Sequence, residues 1–225
     1  MDKNDTKFSV VLVADSHNPS ILNPDFLIRN EIVPNDWVVD QSQPVLTTPA
    51  FSQFRYLSGV SFTIDPSKLI IQDVLPEGEI FPVPEIALSY LRNVPHVKYH
   101  ALGINFDKSL VFNSEEHARN FQKESFLKEG SWNMNGALSE FVAKFIYVFD
   151  GCKCNVTFSS PVKLRAASED QEPLHALILS ANFHHDFKTI EKHEDRNAAI
   201  ALSISNWEQD KMIFNSLTNK LTGGE

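Results

Sequence analysis

A chain of 225 residues can build one large domain or two small ones around a sizeable core. Its 29 acidic residues against 20 basic ones give a formal charge of -9 with no Lys/Arg run, which excludes a general affinity for nucleic-acid backbones and for anionic membranes. No apolar stretch reaches membrane-spanning length, and the polar start lacks the basic region, long apolar run and cleavage site of a signal peptide, so a cytoplasmic protein is expected.

The first apolar run, Phe8 to Ala14, predicts a strand. "NPDFLIRNEIV" predicts a helix with Asn23 as N-cap and Pro24 at the first helical position. A loop around Pro44 to Pro49 leads into "SQFRYLSGVSFTIDPSKLIIQDV", which reads as two or three strands turning at Ser58-Gly59 and Asp65-Pro66. In "VPEIALSYLRNVP", Ile86, Tyr90, Leu91 and Val94 recur at helical spacing until Pro95 stops the run.

The second half, from residue 96, opens with a strand over Val97 to Phe106. "NSEEHARNFQKESFLK" follows as a helix capped by Ser114, with Glu115 and Glu116 where the dipole favours anions. "SEFVAKFIYVFDG", "CKCNVTFSSPVKL" and "LHALILSANF" read as strands, the first two joined at Asp150-Gly151. A last helix over about Asn197 to Leu221 carries a buried stripe of Ile200, Ile204, Trp207, Phe214 and Leu221, interrupted by Lys211.

Both halves, 1–95 and 96–225, therefore read strand, helix, strands, helix. The expected fold class is α+β: one compact domain with an antiparallel sheet, helices on one face and a tandem pseudo-two-fold duplication. This architecture is similar to that of the TATA-binding protein, an analogy that implies no DNA binding given the charge. The 17 phenylalanines must mostly lie inside, since exposed rings would make adhesive patches.

"HNPSILNPDFLIRNEIVPNDW" (His17 to Trp37), "TTPAFSQFRYLSGVSF" (Thr47 to Phe62) and "PHVKYHALGINF" (Pro95 to Phe106) carry a pattern that resembles a group of uncharacterised bacterial proteins. The resemblance covers the first half and the start of the second. It implies a bacterial cytoplasmic protein, and no functional residue comes with it.

Candidate chemistry concentrates in "SANFHHDFKTIEKHEDR", where His184, His185, Asp186 and His193 are metal-ligating types without a framed spacing such as H-E-x-x-H. On a strand His184 and His185 point to opposite faces, so a polar loop is the expected reading, with Asp195 capping the next helix. Cys152 and Cys154 share a face with Val156 and Phe158, which predicts small buried side chains. "ADSHNPS" (Ala14 to Ser20) holds Asp15, Ser16 and His17, but the composition is that of a turn and not of a triad. His100 alternates with Leu102, Ile104 and Phe106 at the core edge, and Gly103 marks a bulge or a close approach, with Asn105 beside it as pocket lining.

P-loop, GxSxG and GxGxxG motifs are absent, so no cofactor and no resident metal are expected. "FVAKFIYVF" (Phe141 to Phe149) is apolar on both strand faces except at Lys144, which predicts a strand covered by helices on one side and by a second subunit on the other. The expected function is a non-catalytic module that binds itself or another protein. The alternatives are a metal-dependent hydrolase built on His184 to His193 with Asp15 or His17, and a small-ligand protein with its pocket between sheet and helices.

Overall fold

Two strands with alternating side chains meet at the centre of the molecule. β1 (Asp5–Ala14) turns Phe8, Val10, Leu12 and Ala14 inward, each at most 3% exposed, and Lys7, Ser9 and Val11 to the opposite face. β6 (Tyr99–Phe112) lies antiparallel beside it with Phe8 opposite Phe106, Val10 opposite Ile104 and Leu12 opposite Leu102. The register thus puts every apolar side chain of the pair on one face. The structure, a computed structural model, describes residues 5–76, 81–128, 130, 138–164 and 174–222.

From this pair the sheet grows outward in both directions, antiparallel throughout. β5 (Lys68–Pro76), β4 (Ser61–Asp65), β3 (Ser52–Arg55) and β2 (Leu46–Thr47) follow on the β1 side. On the β6 side come β10 (Leu174–Asp186), β8 (Cys152–Phe158) and β7 (Ala143–Phe149). β9 (Val162–Leu164) also pairs with β10. Phe158 faces Leu179 and Val162 faces Ala176, so the outer chain takes one residue more than β10 between these points. β9 therefore continues β8 after a one-residue bulge. There the Ile178 N–H donates to Ser159 Oγ at 2.8 Å and the Ser159 N–H to the Ile178 carbonyl at 3.0 Å.

Helices cover the apolar face: α1 (Pro24–Arg29), α2 (Val83–Asn93), α3 (Glu115–Phe126), α4 (His193–Ser205) and α5 (Trp207–Thr222). Asn23 caps α1, its Oδ1 accepting from the Phe26 N–H at 2.9 Å, and Ser114 caps α3 at the His117 N–H. The layer between is aromatic. Phe8 lies 4.9 Å from both Phe81 and Trp207 and 5.0 Å from Phe106, which stacks on Phe214 at 5.2 Å. Lys211 interrupts the α5 stripe without cost, its ammonium 5.3 Å from the Trp207 ring. The α+β class is as expected, with helices on one face of an antiparallel sheet.

Four elements depart from the sequence reading. The last helix begins at His193 with Lys192 at its N-cap, so Asp195 sits in the first turn beside Glu194, where the helix dipole suits an anion, and is not the cap. The helix also breaks after Ser205: Asn206 leaves the helical backbone (φ -95°, ψ 12°), separating α4 from α5. Ile200, Ile204, Trp207 and Phe214 are buried, while the Leu221 side chain lies outside the described residues. β6 runs on to Phe112 because Asp107 falls on the polar face, 3.6 Å from Lys7, and Leu110 still faces inward. Finally, β7 is not buried on both sides. It is the outermost strand, with most of its side chains exposed.

Two glycines hold positive φ at turns: Gly59 at +103° and Gly151 at +74°. A Cβ on Gly59 would fall 2.9 Å from Asp73 Oδ1, whereas one on Gly151 meets nothing within 4 Å. Gly59→Ala should therefore cost about 2–3 kcal/mol and Gly151→Ala about 1 kcal/mol. Urea unfolding of the two variants beside the parent checks both the sign and the order.

Candidate functional site

β10 stays extended through Asp186, and this decides where the histidine-rich stretch points. His184 faces the helix-free side, opposite Lys153 of β8 and Gly103 of β6. His185 faces the helices, its Nε2 3.4 Å from Asp210 Oδ2 on α5 and its ring stacked on Phe187. Asp186 closes the following turn, accepting from the Lys188 N–H at 2.9 Å. His193 opens α4 and its Nε2 donates to the Pro95 carbonyl. The four are thus not gathered at one point. One faces out, one faces in, one holds a turn and one is tied to another loop.

What His185 does meet comes from two distant segments. Cys152 starts β8 directly after the Gly151 turn, and alternation sends it inward with Cys154, Val156 and Phe158. Asp210 lies one turn into α5 on its buried side, 9% exposed. The Cys152 sulfur, a His185 ring nitrogen and an Asp210 carboxylate oxygen all lie within 4.8 Å of one another. Both cysteines are free thiols, and burial, with help from the Asp210 carboxylate, pushes each up to about 12. Opposing this at Cys152 is a backbone hydrogen bond from His184. A cleft of about 370 Å³ opens beside the cluster, lined by Phe149, Gly151, Cys152, Lys153, His184 and Asp186.

The segment after β1 does not assemble a triad. Asn18 Oδ1 accepts from the Ser20 N–H at 3.2 Å and from its hydroxyl at 2.6 Å, which is turn chemistry. His17 is buried, donates through Nε2 to the Leu12 carbonyl at 3.1 Å and meets the Tyr99 ring edge-on. Asp15 instead lies 3.8 Å from His100 Nε2, across the bulge where β1 and β6 shift register. Asp15, His17 and Asn18 border a second cleft of about 390 Å³.

On the helix-free face, Gln72, Ser9, Asn105, Asn182 and Asn155 stand opposite one another across five adjacent strands. Asn105 Nδ2 donates to Ser9 Oγ at 3.1 Å, and Asn182 Nδ2 donates to Asn105 Oδ1. Gly103 supplies the room: a Cβ there would lie 3.4 Å from Asn182 Nδ2. Asn105 lines a shallow cavity of about 380 Å³ with Lys7, Ser9, Gln72, Asp107 and Asn182. The expected bulge falls at His100 and not at Gly103, whose role is the close approach. Sequence reading reached Gly103 and Asn105 through the glycine, but Ser9, Gln72 and Asn182 join them only by long-range register.

Compared with protein-family models and with curated proteins, the sequence matches none. The chemistry therefore rests on the groups themselves.

Burial lowers His17 below its ordinary 6.5, with the Leu12 carbonyl and Asp65 only partly offsetting it. Below pH about 6.5 the unfolded chain takes up a proton that the folded chain refuses, so stability is full above that pH and falls as pH drops towards the lowered value, by at most about 1.4 kcal/mol per pH unit. Denaturant unfolding between pH 7.5 and 5 should show a shallower loss for His17→Asn than for the parent. Equal slopes would mean that His17 titrates normally.

Proposed function

We propose that the protein is a non-catalytic module that self-associates through β7. The observation that carries this reading is the outer edge of the sheet. Ile146 is 60% exposed and Val148 74%, beside Val142, while Phe145, Tyr147 and Phe149 are about one-third exposed on the other side. An apolar strand exposed on one face, partly covered on the other and, among the described residues, unpaired along its outer side is a template for pairing with another strand. Natural sheets usually blunt such an edge. The opposite end of this sheet follows that habit: β3 is covered by β2, and Val39 bridges to Tyr56 just beyond it. Among the described residues, no strand pairs with the outer side of β7.

A second copy fits this edge. Antiparallel pairing of two β7 strands about a two-fold axis at Tyr147 sets Phe145 opposite Phe149 and Ile146 opposite Val148. The same register brings Lys144, the only charged residue of β7, opposite Asp150 of the other copy. The contact is self-complementary in both shape class and charge, as an isologous interface requires. A cytoplasmic setting accords with the two free thiols, and no helix among the described residues is long and apolar enough to cross a membrane.

Light scattering at micromolar concentration should give twice the 25.4 kDa chain mass. The double variant Ile146→Lys/Val148→Lys should give the chain mass itself with unchanged circular dichroism, because both side chains are at the surface and cost about 0.5 kcal/mol or less in the monomer. A monodisperse monomer of the parent at high micromolar concentration sinks the proposal. A dimer that survives the double substitution moves the interface away from β7.

A further inference from the structure

We infer that Cys152, His185 and Asp210 form a binding site for one divalent transition-metal ion of the zinc class, with water completing its coordination. The inference stands independently of self-association, since none of the three ligands lies on the outer edge of the sheet.

Three different ligand types arrive from three elements: a thiol from the start of β8, an imidazole from the end of β10 and a carboxylate from α5. Sulfur, nitrogen and oxygen together suit zinc, which accepts all three and commonly uses three protein ligands plus water. Spacing agrees. His185 Nε2 and Asp210 Oδ2 stand 3.4 Å apart, long for a charge-assisted hydrogen bond. That separation is, however, about the edge of a tetrahedron whose metal–ligand bonds are about 2.1 Å. The sulfur, no further than 4.8 Å from either, needs only a modest side-chain rotation to close the set.

Charge agrees as well. Asp210 is buried, and its ion-pair partner His185 is a cation only when protonated. The adjacent Lys211 does not supply one, because its ammonium is directed over the Trp207 and Phe81 rings at 5.3 and 5.8 Å. A divalent ion would balance one carboxylate and one thiolate. As the metal–sulfur bond forms, the Cys152 S–H bond breaks and its proton leaves to solvent. The supporting shell is in place: the His184 backbone hydrogen bond to Cys152 and the Phe187 ring against His185 restrict two of the ligands. Of the three ligands, Cys152 also lines the neighbouring cleft.

The test is a cobalt titration of the full chain, purified without an affinity tag and stripped with chelator. Cobalt replaces zinc in such sites, and a cobalt–thiolate bond absorbs in the near ultraviolet. Expected are one cobalt per chain with that absorption, loss of the band in Cys152→Ser, and its retention in Cys154→Ser. His185→Ala and Asp210→Asn should each weaken binding by at least about tenfold. Zinc should displace the cobalt and raise the melting temperature of the parent but not of Asp210→Asn. Absence of the band in the parent overturns the assignment, as does a band that survives Cys152→Ser. Should Cys152→Ser fail to fold, Asp210→Asn decides: parent-like cobalt affinity in that variant rejects the site.

Discussion

The antiparallel register of β1 against β6 is the constraint from which the remaining architecture follows. Phe8 opposite Phe106 and Ser9 opposite Asn105 are consecutive rungs of one ladder, facing opposite ways. A slip of one residue would send the phenylalanines to the open side and the amide row into the aromatic layer. Because β5 and β10 take their parity from these two strands, the choice propagates across the whole sheet. The aromatic layer around Phe8 and the polar row through Asn182 are two consequences of a single pairing.

Element order repeats on either side of that pair, but the two ends of the sheet differ. β3 has a short companion strand and a bridge along its outer side; β7 has neither among the described residues. Unpaired backbone groups at an edge are usually defended by charge, proline or brevity. β7 has seven residues, no proline and one lysine. Of the clefts described above, two lie at strand ends and one on the polar face, while the rings of Phe8, Phe106 and Phe214 pack between sheet and helices.

Much of the fold was legible locally. Asn23-Pro24, Ser114 and Asp150-Gly151 announce helix starts and a turn because capping and turn chemistry depend on immediate neighbours. Alternation placed Cys152 and Cys154 inward for the same reason. The misreadings share another cause. "FVAKFIYVF" has the composition of a buried strand, and only its place at the end of the sheet reveals its exposure. The histidine stretch grouped His185 with His184, Asp186 and His193 because they are close in sequence. His185 instead meets Cys152 and Asp210, 33 residues before it and 25 after it, and no spacing rule links those three positions. Chemistry assembled across a sheet leaves little trace in any single window.

β1 is hydrogen-bonded on one side to β5, from its own half, and on the other to β6, from the next. During synthesis the first half emerges with a complete β1–β5 ladder but with the inner edge of β1 unsealed. β6 can close that edge once Phe112 has left the ribosome. Its own far side then waits for β10, while α3, β7, β8 and β9 emerge. The middle of the sheet is therefore sealed after the strands of its outer part have been made. For that interval the nascent chain carries an open strand edge at its centre, where a chaperone or a neighbouring chain on the same message could reach it.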